Sequence, residues 1–393
     1  WGPQGPQGAP GGQGGQGGQA PEAAHGAAAP AAPAVQAAPA VQVAPAAQAA
    51  QALDAGTAFS SGQDGREAEA DGGALLVERG GSAHLEKTKL TSNNAGGNGG
   101  AIANFGRVDV DWSTIDNNHA RENGGGIFTI GVLKVTESRI ANNTAGDNGG
   151  GIANGHGKDD RYPHTLIEGR DEAGSIEIFK TDIEGNKADR NGGGLFTTGG
   201  FVKIVLSAVK NNTACDNGGG IYAHNTNLDL KKVTITNNHT SNNGGGIYNT
   251  GGNHDTLTTG QEATATIADS TIADNTAGHF GGGIYNGEPS LLKVEDGFQT
   301  QPDSRDDNAT LTIRDTEIKG NTAANGGGIF NHEGRVTLTK TRITKNTATD
   351  ASKLHRVAGG VLNNEGHVTL DEKTTITNND PTNCAGTVKD CFN

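Results

Sequence analysis

The sequence predicts an all-β chain wound as a right-handed parallel β-helix, a solenoid of about ten turns behind a low-complexity stalk. Three observations predict it. A glycine motif returns about every 25 residues, period-2 apolar pairs follow each copy, and proline is kept out of the repeating stretches.

The fullest copy of the motif is Asn243-Gly244-Gly245-Gly246-Ile247-Tyr248-Asn249, and near copies place their Ile-type residue at 75, 102, 127, 152, 195, 221, 284, 329 and 361. Four of the steps are long, exceeding the 25-residue unit by 18, 12, 20 and 7 residues. A motif in so many copies is architecture. Its glycines suit a corner with positive φ, where a Cβ would collide with the turn above. A phosphate-cradling loop would instead be a single copy leading into a helix, usually with a Lys.

Within each unit the motif is followed by an alternating apolar pair, such as Leu133/Val135, Ile176/Ile178 or Leu228/Leu230. A single β-branched residue comes five positions later, at Ile140, Ile183 and Ile235, and an Asn corner closes the unit, at Asn142/Asn143, Asn211/Asn212 and Asn237/Asn238. This reads as three short strands per turn. None can bury its inner face alone, so each pairs in parallel with its copy in the next turn. Parallel crossovers of this kind are right-handed. The Asn corners tolerate left-handed backbone, and their amides can hydrogen-bond up and down the stack. Ten turns give a rod about 43 Å long at the usual strand spacing. Eight of the 12 prolines precede residue 46, and Pro163, Pro289, Pro302 and Pro381 fall in insertions or after the last turn.

Residues 1–19 contain six Gly-X-Y triplets, a collagen-like tail read either as a flexible tether or as a short assembling segment. Residues 20–70 form an Ala/Pro/Gln-rich stalk, in which 46–53, after the last of its prolines, is free to form a short capping helix. The solenoid is expected over 71–380 and a C-terminal segment over 381–393. The net charge of −14 argues against nucleic-acid binding, which needs clustered Lys and Arg, and leaves room for Ca²⁺ as the one cofactor considered. No apolar run is long enough to cross a bilayer as a helix, and no signal-peptide pattern opens the chain. A chain that begins at Trp1 and has no Met reads as a processed or truncated form. Of three cysteines, Cys384 and Cys391 are spaced to close a small disulfide loop, which would favour an oxidising, extracellular setting, and Cys215 is expected as a buried free thiol.

The Asn-Gly-Gly-Gly-Ile-Tyr-Asn and Ser-Thr-Ile-x-x-Asn patterns resemble those of right-handed parallel β-helix proteins of the pectate-lyase-like superfold. Gly99-Gly100-Ala101-Ile102 is also similar to the Gly-Gly-Ala-Ile repeats of chlamydial polymorphic outer-membrane proteins. The resemblance covers about 71–380 and implies a secreted or cell-surface protein, an adhesin or a carbohydrate-active enzyme. The chain departs from the chlamydial proteins in its tail and stalk, and in showing no amphipathic β-barrel after residue 380, so self-export of their kind is not expected.

Three large insertions, 155–174, 250–263 and 287–309, fall at the same point of the unit and must emerge along one edge. That edge is the expected binding surface, carrying His254, Asp255, Asp296, Asp306 and Asp307. Pectin-cleaving hydrolases of the superfold use a Gly-His-Gly element, which Gly155-His156-Gly157 matches by letters. The candidate catalytic residues on that reading are His156, Asp159, Asp160 and Arg161, although the paired Asp lies downstream of the element rather than upstream. Charge runs of this kind usually solvate a loop. The expectation is therefore a structural or adhesive β-helix, not an enzyme, that meets an extracellular polysaccharide or surface partner and forms homo-oligomers through its tail. A lyase or glycoside hydrolase acting on acidic polysaccharide is the alternative. An outward Thr column, at Thr266, Thr312, Thr337 and Thr369, occupies only the C-terminal half, so an ice-binding face is not expected.

Overall fold

A computed structural model describes residues 70–156, 173–251, 263–287, 309–351 and 356–393, with the backbone of an antiparallel hairpin formed by Leu292–Val294 and Gly297–Gln299. The Gly-X-Y tail, the stalk with its capping stretch, and the centres of the insertions lie outside the described residues.

The chain coils into a right-handed parallel β-helix with four parallel sheets. The turn from Ile127 to Ala145 gives one strand to each: Ile127–Thr129 to sheet I, Val132–Thr136 to sheet II, Arg139–Ala141 to sheet III and Thr144–Ala145 to sheet IV. Sheets I to IV hold 11, 10, 10 and nine strands. The sequence predicted three strands per turn. The fourth, typically Thr-Ala after the Asn corner, is two residues long, too short to show a period of two; its Ala side chains, from Ala95 to Ala348, are buried. Sheet I also runs one strand further than the ten motif copies, through Cys384–Gly386.

The core is a set of columns. Sheet II sends in its apolar pair, with Leu133, Ile176, Val202 and Leu228 in register, sheet III its single Ile or Val, and sheet I the residue after the glycines. Each fully buried Ile or Leu removes enough apolar surface from water to stabilise the fold by about 1.5–3 kcal/mol. At the C-terminal end Cys384 occupies the Val361 column, is disulfide-bonded to Cys391 with Cα atoms 6.3 Å apart, and packs with Val388 over the last turn. Cys215 is exposed, not buried as expected, because it follows the inward Ala214 of sheet IV and points the other way.

The corners carry the polar order. Between sheets III and IV, Asn142 takes φ 52° and the next residue, Asn143, turns inward. From Asn118 to Asn346, each inward Asn donates its Nδ2 to the Oδ1 of the Asn one turn on, at 2.9–3.0 Å. A second ladder, at the Asn opening the glycine motif, runs the opposite way: Asn123 donates back to Asn98, and Asn148 back to Asn123, both at 3.0 Å. Between sheets II and III a Ser or Thr hydroxyl accepts the backbone N–H of its counterpart one turn earlier, as Ser138 does from Ser113 at 2.9 Å. The glycine corner explains its own composition. Gly244 has φ 69°, and a Cβ on Gly245 would lie 2.4 Å from the carbonyl oxygen of Gly282 in the next turn.

The three large insertions leave between sheets I and II: after Ile152–Asn154, after Ile247–Thr250 and after Ile284–Gly287. They share one corner, as the spacing predicted. The short fourth insertion lies at a different corner, between Thr347–Ala348 of sheet IV and Val361–Asn364 of sheet I.

Candidate functional site

Of the residues singled out at the loop-bearing corner, His156 is described. Its ring lies 4.7 Å from that of Phe128, and its carbonyl oxygen accepts a hydrogen bond from the Thr198 hydroxyl at 3.3 Å. Asp159, Asp160, Arg161, His254, Asp255, Asp296, Asp306 and Asp307 lie outside the described residues. Among the described residues no three His, Cys, Asp or Glu side chains gather as a metal-holding group.

The second position of the sheet I strands points away from the core and carries a column of rings. Phe196, Tyr222, Tyr248, Tyr285 and Phe330 stack at centroid distances of 4.7–5.4 Å, and Tyr248, Tyr285 and Phe330 form a second buried cluster with Phe280, Ala358 and Leu362. Burial pushes the Tyr222 hydroxyl up to about 12, so it stays neutral. A third ladder runs beside the column, from Asn249 through Asn286 and Asn331 to Asn363 at 2.8–2.9 Å. Next to it His332 is fully buried. Its Nδ1 accepts from Asn364 at 2.8 Å, its Nε2 has no hydrogen-bond partner, and burial lowers its pKa to about 4. The ring is therefore neutral, and its 3.9 Å approach to Glu333 is not an ion pair at neutral pH. The apolar rank at this position was legible in the sequence, at Phe128, Phe196, Tyr222, Tyr248, Tyr285 and Phe330; as outward residues of an alternating strand these would ordinarily meet water.

Sequence reasoning missed a second feature, at the corner between sheets II and III. Nine of the ten described turns there use one residue with φ between 46° and 54°, at positions 87, 112, 137, 180, 206, 232, 269, 315 and 340. On the N-terminal turns that column and its neighbours hold Trp112, Glu137, Phe179, Lys180 and Leu206, and an open groove of about 500 Å³ runs between Trp112 and Asp182. Trp112 Nε1 donates to Glu137 at 3.0 Å, Lys87 sits 5.9 Å over the indole, and Lys180 reaches the same Glu137 at 3.4 Å. The outer face of sheet III continues the polar wall. Arg139 pairs with Glu184 at 2.5 Å, and Lys210 meets Asp182 and Glu184, each at 3.1 Å. At Glu184 the upward push of partial burial is outweighed by hydrogen bonds from Arg139 and Lys210, which hold its pKa below the ordinary value. The hydrogen bond to Glu184 raises Lys210 against the opposing effect of burial, and Asp182 adds to the rise.

Four continuous parallel sheets, ladders of buried amides and one loop-bearing corner define a parallel β-helix repeat protein. Three stretches of it, residues 113–130, 207–224 and 232–250, are similar to the Chlamydia polymorphic membrane protein repeat. Each matched stretch begins at the sheet II–III corner and runs through the glycine motif to or just past the next sheet I strand, so it spans the sheet III, IV and I strands of a turn and leaves out the sheet II strand. The repeat points to a surface or outer-membrane β-helix protein. No curated protein matches the chain, and no solved structure does.

Proposed function

We propose that the protein is a surface-displayed structural and adhesive β-helix. On this reading the solenoid is a stiff rod that holds its sheet I–II corner toward an extracellular polysaccharide or surface partner, and the Gly-X-Y tail gathers copies of the chain. One observation carries it: three insertions of different length leave at the sheet I–II corner while the Asn ladder at the sheet III–IV corner stays unbroken through the same turns. A scaffold that absorbs insertions at one edge without losing register is suited to presenting variable loops. The repeat match supports display at a surface.

The test is to immobilise the full chain and offer it extracellular polysaccharides and intact cell surfaces, with released product measured alongside retention. Retention without cleavage is expected. Cleavage that Asp159→Ala or Asp160→Ala abolishes would replace this reading with the lyase or hydrolase. Failure to retain anything would overturn the adhesive role. Sedimentation of the full chain against one starting at Asp71 tests the tail, and equal monomer masses would refute tail-mediated assembly.

A further inference from the structure

We propose that the groove at the sheet II–III corner, centred on Trp112, binds an extended neutral glycan along the solenoid axis. The proposal rests on the adhesive reading and adds to its sheet I–II corner a second face with a ligand class of its own.

The corner column supplies the first argument. All its residues are held at φ 46–54°, a conformation that costs an ordinary side chain roughly 1–2 kcal/mol and that Asn, Asp or Gly adopts more cheaply. Trp112 and Leu206 occupy it with large apolar side chains that are 53% and 44% exposed. Neither is part of the buried core, so the fold gains little from them; a ligand would.

The second argument is the fixed posture of the indole. The hydrogen bond to Glu137 holds the ring, and Lys180 holds Glu137 from the far side. A ring held in place before binding loses little side-chain freedom on contact. Phe179, 37% exposed, stands two turns along the axis, roughly 10 Å away at the usual strand spacing, which matches the distance between alternate sugars in an extended β-linked chain.

The groove walls choose among occupants. Thr114, Glu137, Arg139 and Asp182 offer donors and acceptors along the groove from Trp112, as sugar hydroxyls require. Arg139 and Lys180 are matched in number by Glu137 and Asp182, so the groove has no excess charge to hold a polyanion, and a chain of net charge −14 repels one at long range. A protein partner would need about 800 Å² of well-packed surface with an apolar centre, whereas this groove is open and mostly polar-walled.

The test uses the full chain carrying Trp1→Phe, so that Trp112 is the sole fluorophore of its kind. Neutral β-1,4-linked hexasaccharides of glucose, mannose and N-acetylglucosamine are titrated by Trp emission and by calorimetry, with polygalacturonate as the acidic comparison. At least one neutral hexasaccharide should shift the emission, and by calorimetry Trp112→Ala should weaken its binding about tenfold or more with the far-ultraviolet spectrum unchanged. Phe179→Ser should weaken the hexasaccharide but not a disaccharide. The proposal is overturned if no neutral glycan binds at millimolar concentration, if Trp112→Ala binds as well as its parent, if polygalacturonate binds more tightly, or if the emission shift tracks dimer formation. A chain that ignores glycans yet is retained on cell surfaces loses only this assignment; a chain that does neither loses the adhesive function as well.

Discussion

Asn143 and Asn186 are 43 residues apart in sequence, and the Nδ2 of the first donates to the Oδ1 of the second at 3.0 Å. Asn118 and Asn143, only 25 residues apart, make the same bond at 2.9 Å. The 18-residue difference, carried by the insertion after Ile152–Asn154, leaves no trace in the ladder. The solenoid is thus specified turn by turn, and the predictions below follow from that.

The interior of the ladder should be sensitive to single substitutions. Asn212 Oδ1 accepts from both the N–H and the Nδ2 of Asn186, while its own Nδ2 donates to Asn238 and to the carbonyl of Ile183. Asn212→Ala strands several buried polar groups, each costing about 1–3 kcal/mol, so a loss of about 3 kcal/mol or more is expected. Urea denaturation reads it directly, and a loss below about 1 kcal/mol would show that the ladder is ornamental.

The insertion after Asn154 should be dispensable for folding. Removing 157–172 leaves four residues to join sheet I to sheet II, where the preceding turn uses two, Ile130 and Gly131. Shortening a flexible connection changes closure entropy by only about 0.6 kcal/mol per halving of length. The deletion should keep the denaturation midpoint close to that of the parent while changing surface binding; a collapse of the midpoint would mean that the insertion props up the fold.

Two glycines should behave differently. A Cβ on Gly245 meets the Gly282 carbonyl oxygen at 2.4 Å and the Thr276 backbone at 2.7 Å, whereas one on Gly80, at φ 80°, has nothing within 4 Å. Gly80→Ala should cost only the left-handed backbone penalty, about 1–2 kcal/mol. Gly245→Ala must displace backbone in the next turn and should cost more, and thermal melts of the two variants that coincide would contradict this.

Acid should weaken the C-terminal turns through His332. Its folded pKa of about 4 lies below the ordinary 6.5, so the unfolded chain binds the extra proton first and stability falls as pH drops from 6.5 toward 4. A gap of that size amounts to about 3 kcal/mol when fully expressed. His332→Gln should flatten the dependence, and hydrogen exchange at Phe330 and Leu362 at pH 7 and pH 4.5 reports it locally. Identical pH profiles for parent and variant would remove His332 as the cause. The Glu184–Lys210 pair adds a separate window. Glu184, lowered, contributes above its ordinary 4.5 and is lost as pH falls, while Lys210, raised, contributes below its ordinary 10.5 and is lost as pH rises. Both groups are only partly buried, so salt should screen part of the effect.

The repeating motif made the coil legible because its cause is local: glycine where the next turn's backbone comes close, Asn where φ turns positive, and alternation where one face is buried. The fourth sheet escaped notice because a two-residue strand such as Thr144–Ala145 carries no period. The aromatic column at Tyr248 and Tyr285 was visible as letters, yet its burial depends on what packs outside sheet I, which strand alternation does not encode. The Trp112 groove was hidden for another reason. Its residues come from three turns, Trp112, Glu137 and Lys180, and their proximity exists only once the register between turns is known.

That register is the central claim, and one cross-link tests it most directly. Lys134 and Glu177 are Cα partners on adjacent turns of sheet II, exposed, and separated in sequence by the first insertion. Neighbouring strands lie about 4.8 Å apart, within reach of a disulfide. In a Cys215→Ser background, Lys134→Cys paired with Glu177→Cys should oxidise to a single intramolecular bond in nearly full yield, while Lys134→Cys paired with Phe179→Cys, two residues out of register, should remain reduced. Equal cross-linking of both pairs, or of neither, would contradict the stacked register on which the fold and its proposed binding faces depend.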